Sequence, residues 1–100
     1  MDPRLRSICE FLEQHRTRAT YQAVGEAVGI SARAVNSNVL GARTPLASWI
    51  VNAKTERPTG YKAEEQHLDL YKNSRIIRSG AELMRLMNMG IPRTGYLNRK

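Results

Sequence analysis

The stretch Thr20 to Gly41, TYQAVGEAVGISARAVNSNVLG, decides the fold. Thr20 can cap a first helix through its hydroxyl, and Val24, Ala27 and Val28 follow at the three- and four-residue spacings of one buried face. Gly29 stands where the chain must turn sharply, a left-handed position that glycine takes without steric cost. Ile30 plugs the angle and Ser31 supplies a second cap. Ala32 to Leu40 then reads as a helix with Val35 and Val39 inward and Arg33, Asn36 and Ser37 outward. Gly41 ends it. This is the sequence form of a helix-turn-helix, whose second helix enters a groove of DNA; the same turn also fits an ordinary helical hairpin.

The flanks read as support for these two helices. Asp2 and Pro3 form a helix start, with a carboxylate to cap and a proline where no hydrogen bond is lost. Leu5, Ile8, Cys9, Phe11 and Leu12 make Pro3 to about His15 an amphipathic helix. Arg16-Thr17-Arg18 reads as a polar connection to the central motif. After Gly41, the turn Ala42-Arg43-Thr44-Pro45 leads to two β-favouring runs, Trp49-Ile50-Val51 and Arg75-Ile76-Ile77-Arg78. We pair them as a small antiparallel hairpin, a wing beside the helices. Between them Lys54 to Ser74 is polar and long for a connection, with a turn at Pro58-Thr59-Gly60 and a helical turn near Ala63 to His67. Ser79-Gly80-Ala81-Glu82 is a capping box, and Ala81, Leu83, Met84, Leu86 and Met87 form the apolar stripe of a last helix ending near Gly90. Ile91-Pro92 stops it, and Tyr96 to Lys100 reads as either a short edge strand or a frayed tail. The expected fold is mainly α with a small β-hairpin. It is a winged helix-turn-helix-like single domain over residues 1–100, with 54–74 as an inserted loop.

Composition narrows the function. The chain has 100 residues, 41% apolar, which supports one modest core. No run approaches the roughly 18 apolar residues of a membrane span, and the acid-bearing start MDPRLRSICEFLEQH does not read as a signal peptide. Cys9 is the single cysteine and lies within the helical stripe, so no internal disulfide exists, and one Cys with His15 and His67 assembles no zinc set. A cytoplasmic setting is expected, with no metal, no cofactor, no membrane and no small-molecule substrate. The net charge of +7 attracts polyanions. It is uneven: residues 1–50 hold six basic and four acidic residues, and 51–100 hold ten and five. The bland reading is that many small proteins are this basic.

The run Ala32-Arg33-Ala34-Val35, eleven residues after Tyr21, resembles the DNA-binding half of alkylguanine-DNA alkyltransferases, and especially the shorter alkyltransferase-like proteins. Val51-Asn52-Ala53 is similar to the segment that follows the family's active site, and Met89-Gly90-Ile91 to the end of its last helix. The resemblance implies a recognition helix in the minor groove, with Arg33 filling the gap in the base stack and Tyr21 helping to rotate the nucleotide out. A flipped base leaves a hole that a planar cation fits. Ala34, Asn36 and Ser37 would let the helix approach closely, Arg43 would contact DNA, and Ala47 and Trp49 would line the lesion pocket. Where the family carries Pro-Cys-His-Arg, this chain has Leu46-Ala47-Ser48-Trp49. The acceptor cysteine is alanine and the activating histidine is gone, so alkyl transfer is not expected at this site.

The resemblance therefore implies a non-enzymatic sensor of alkylated guanine that binds double-stranded DNA as a monomer and hands lesions to other DNA-repair proteins. The alternative from the same motif is a winged helix-turn-helix regulator reading the major groove through Arg33, Asn36 and Asn38. No carboxylate pair, Ser/His/Asp set or phosphate loop points to an enzyme. An adaptor that binds a protein through the 54–74 loop is a further alternative.

Overall fold

A computed structural model describes residues 2–36 and 43–90, the last two by backbone only. Helix α1 spans Pro3–His15, strand β1 Arg18–Thr20, helix α2 Tyr21–Val28 and helix α3 Ala32–Ala34. A 3₁₀ turn at Ala47–Trp49 leads into β2, Ile50–Val51; a second at Ala63–Glu65 precedes β3, Ile76–Ile77; and α4 runs Gly80–Gly90. About half of this single small domain is helical.

The helices start where their caps are. The Asp2 carboxylate accepts from the Arg4 N–H at 2.8 Å, the Thr20 hydroxyl from Ala23 at 3.0 Å, and the Ser31 hydroxyl from Ala34 at 3.1 Å. The Ser79 hydroxyl likewise accepts from the Glu82 N–H at 3.1 Å. Each satisfies one amide that has no partner within its own helix. Helix α1 buries Leu5, Ile8, Cys9 and Leu12 on the expected stripe. In α4 the stripe is narrower than expected. Leu83 is buried and Leu86 and Met87 pack against the core, but Ala81 and Met84 face solvent.

The sheet departs from the expected hairpin. Its order is β2-β1-β3 and all its strands run parallel, with Ala19 opposite both Ile50 and Ile77. The runs at 49–51 and 75–78 do become strands, at Ile50–Val51 and Ile76–Ile77, but they never touch as partners. The stretch assigned to a polar connection supplies Arg18 to the central strand instead. A hairpin joins neighbours through a tight turn, whereas parallel strands need long crossovers. Here α2 and α3 form one crossover and residues 52–75 the other, which accounts for the length of the 54–74 segment.

Arg18 sits in a central strand because two of its three guanidinium nitrogens find acceptors there, Nε having no partner among the described residues. It is only 6% exposed, and its guanidinium donates to the Glu56 carbonyl at 2.9 Å and the Asn73 carbonyl at 3.0 Å while lying 5.2 Å from the Tyr71 ring centre. The strand thus ties down both arms of the long crossover.

The expected end of the α3 helix, with Ser37, Asn38, Val39, Leu40 and Gly41, lies outside the described residues. So do the stop at Ile91-Pro92 and the tail at 96–100.

Candidate nucleic-acid interface

The turn between α2 and α3 is built from two glycines with different tasks. Gly29 closes α2 at φ 82°, and its N–H and that of Ile30 both donate to the Gly25 carbonyl, at 2.7 and 2.9 Å. Gly25 lies where the two helices touch: a Cβ there would stand 2.5 Å from the Ile30 carbonyl oxygen. Glycine inside a helix costs roughly 1 kcal/mol against alanine, so its presence marks a close approach. Sequence reading passed over it, although that penalty was the available signal.

With the turn set this way, Val35 is buried against the core and Arg33 and Asn36 face solvent, with Ala34 half-buried between them. A short polar and cationic face is therefore presented by a helix whose other side is anchored. Ser37, expected on the same face, lies outside the described residues.

The other expected site residues sit differently. Tyr21, the first residue of α2, is 7% exposed, and its hydroxyl accepts a 2.9 Å hydrogen bond from the Thr59 N–H. Ala47 and Trp49 are fully buried. The Trp49 indole packs tilted against the His67 ring at 5.0 Å between centres, and its N–H has no hydrogen-bond partner among the described residues. Arg43 is exposed and lies over Gly60. The expected residues thus fall apart: Arg33 and Ala34 on α3 with Asn36 just beyond it, Arg43 exposed beside Gly60, and Tyr21, Ala47 and Trp49 inside the domain.

Charge is distributed less simply than the halves of the sequence suggest. Lys72 pairs with Asp69 at 2.9 Å, Arg75 with Glu82 at 2.6 Å and Arg78 with Glu56 at 2.7 Å, and Arg16 also reaches Asp69 at 2.9 Å. Hydrogen bonding from Lys72, followed by the Lys72 and Arg16 charges, holds the Asp69 carboxyl below its usual range. Residues 51–90 hold seven basic and five acidic residues, so most of the excess of the second half is carried by Arg93, Arg99 and Lys100. Among the described residues no group of three His, Cys, Asp or Glu side chains is placed to hold a metal ion, and no helix is long and apolar enough to cross a membrane.

Cys9 has no exposed surface, and burial pushes its thiol from 9.0 up to about 12, with the Glu10 and Glu13 charges adding to the effect. The raised value means that the neutral thiol stabilises the fold fully below pH ~9 and that this contribution fades as pH rises toward about 12. At neutral pH almost no thiolate exists to attack an electrophile. We expect a thiol reagent such as DTNB to leave the native protein unlabelled at pH 7.5 and to titrate one thiol in denaturant; rapid labelling of the native state would contradict the burial.

No protein-family model, curated protein or solved structure matches the chain.

Proposed function

We propose that this protein is a non-enzymatic, double-stranded-DNA-binding protein of the cytoplasm that docks α3 in a groove and senses alkylated guanine without taking up the alkyl group. The observation that carries the DNA-binding part is the α2–Gly29–α3 turn, with both helices capped and Arg33 and Asn36 exposed on the second. A short helix that offers a guanidinium and an amide between small residues is suited to close approach to bases and phosphates. The net charge of +7 adds long-range attraction. The lesion-sensing part rests on the resemblance of Tyr21, Ala32-Arg33-Ala34-Val35 and Ala47 to alkyltransferase-like proteins.

A second reading is a regulator that reads an intact duplex. It is favoured by the burial of Ala47 and Trp49 and by the occupied hydroxyl of Tyr21, since base capture requires that part of the domain to open.

Binding to paired duplexes that differ by one alkylated guanine separates the two. As a sensor, the protein binds the modified duplex more tightly, and Arg33→Ala removes most of that preference. Unstacking costs a few kcal/mol, so a selective loss of about tenfold, ~1.4 kcal/mol, is the expected size. Equal losses on both duplexes, with the salt slope reduced by roughly one, would establish Arg33 as a plain phosphate contact and favour the regulator.

A further inference from the structure

Residues 59–61 meet the rest of the domain at three points. The Thr59 N–H donates to the Tyr21 hydroxyl at 2.9 Å, at the first residue of α2. Tyr61 is half-buried and packs against the core, and that burial pushes its hydroxyl up to about 12. Between these two anchors the Arg43 guanidinium lies over Gly60, where a Cβ would come 3.1 Å from Nη2. Gly60 has φ 76°, which a residue with a side chain adopts only with strain. The absence of a side chain and the backbone turn together form a seat for one arginine.

Arg43 is exposed and forms no ion pair with a carboxylate among the described residues, in contrast to Arg16, Lys72, Arg75 and Arg78. The loop beneath it is tied to the first residue of α2 by the Thr59–Tyr21 hydrogen bond. A cation held against backbone, with no acid to neutralise it, is suited to a phosphate.

We propose that Arg43 is a phosphate clamp seated by the Pro58–Tyr61 loop, and that Tyr21 is its positioning residue, acting on DNA through Thr59 and Gly60 without touching the nucleotide. This rests on the DNA-binding reading above and gives Tyr21 a different role from base rotation. The connection that crosses the sheet thereby takes over the work expected of a hairpin wing.

The test is the salt dependence of binding to an unmodified duplex, measured by fluorescence anisotropy for the wild type, Arg43→Ala, Tyr21→Phe, the double variant, Gly60→Ala and Arg33→Ala. Each lost phosphate contact lowers the slope of log K against log salt by about 0.9. Arg43→Ala should show that decrease. Tyr21→Phe removes no charge, yet it should show a similar decrease because the seat is lost, and the double variant should lose no more than Arg43→Ala alone. Gly60→Ala reaches the same end from the loop and serves if Tyr21→Phe does not fold. Wild-type slopes for both Tyr21→Phe and Gly60→Ala, or slope losses that add in the double variant, would overturn the proposal. The DNA-binding reading would then stand if Arg33→Ala still weakens binding. No binding of any variant at low salt would remove both.

Discussion

Trp49→Ala should destabilise the protein by about 3–5 kcal/mol, the range for emptying a fully enclosed aromatic position. Trp49 is the largest side chain with no exposed surface, and it lies in one cluster with Leu5, Leu12, Ile50 and Leu70. It therefore joins α1, β2 and the end of the long crossover, and a cavity there has no single element free to collapse into it. Domains of this size hold roughly 5–15 kcal/mol in all, so the variant should approach the edge of folding. Urea unfolding should show a lower midpoint at an unchanged slope. A loss below about 1 kcal/mol would mean that the indole is not packed as described. Trp49→Phe provides a second reading: it sheds volume but also removes the N–H that has no partner among the described residues. Because an unsatisfied buried donor costs about 1–3 kcal/mol, that exchange should be much milder than Trp49→Ala.

Arg18→Met should cost about 2–4 kcal/mol, because it keeps the apolar stem and removes the donors that serve the Glu56 and Asn73 carbonyls. Those carbonyls lie at opposite ends of the long crossover, so the loss should appear first as faster amide exchange in residues 52–75, before global unfolding. Arg18→Lys should rescue little. One ammonium on a flexible stem does not reproduce a planar fork that donates to two separate carbonyls and packs on Tyr71. Full rescue by lysine would show that only the charge matters at this position.

These two residues also bear on the proposed site. Trp49 and Ala47 occupy positions where the family resemblance implies a lesion pocket, and the structure encloses both. If base capture occurs, part of the 43–49 segment or the crossover above it has to move, at a cost in the packing that Trp49→Ala measures.

Local reading went far because several elements are set by neighbours in the chain. Asp2, Thr20, Ser31 and Ser79 were legible as caps since a cap is a hydrogen bond spanning two or three residues, and Gly29 was legible because a left-handed turn selects for glycine. The buried stripe of α1 follows from helical period alone, as do the inward Val35 and outward Arg33 and Asn36. Pairing had no such local origin. Ile50–Val51 and Ile76–Ile77 have β character in the sequence, but nothing in either run states that Arg18–Thr20 lies between them. A strand of three residues carrying an arginine is recognisable only once two distant carbonyls are present to receive the guanidinium. The same holds for Tyr21, which belongs to α2 by sequence but whose hydroxyl is committed to Thr59, thirty-eight residues on. The sequence by itself determined the caps, the turn and the exposed face of α3; the tertiary structure alone decided strand order and which polar groups became internal, because burying a donor or a charge is favourable only where the fold supplies its partner.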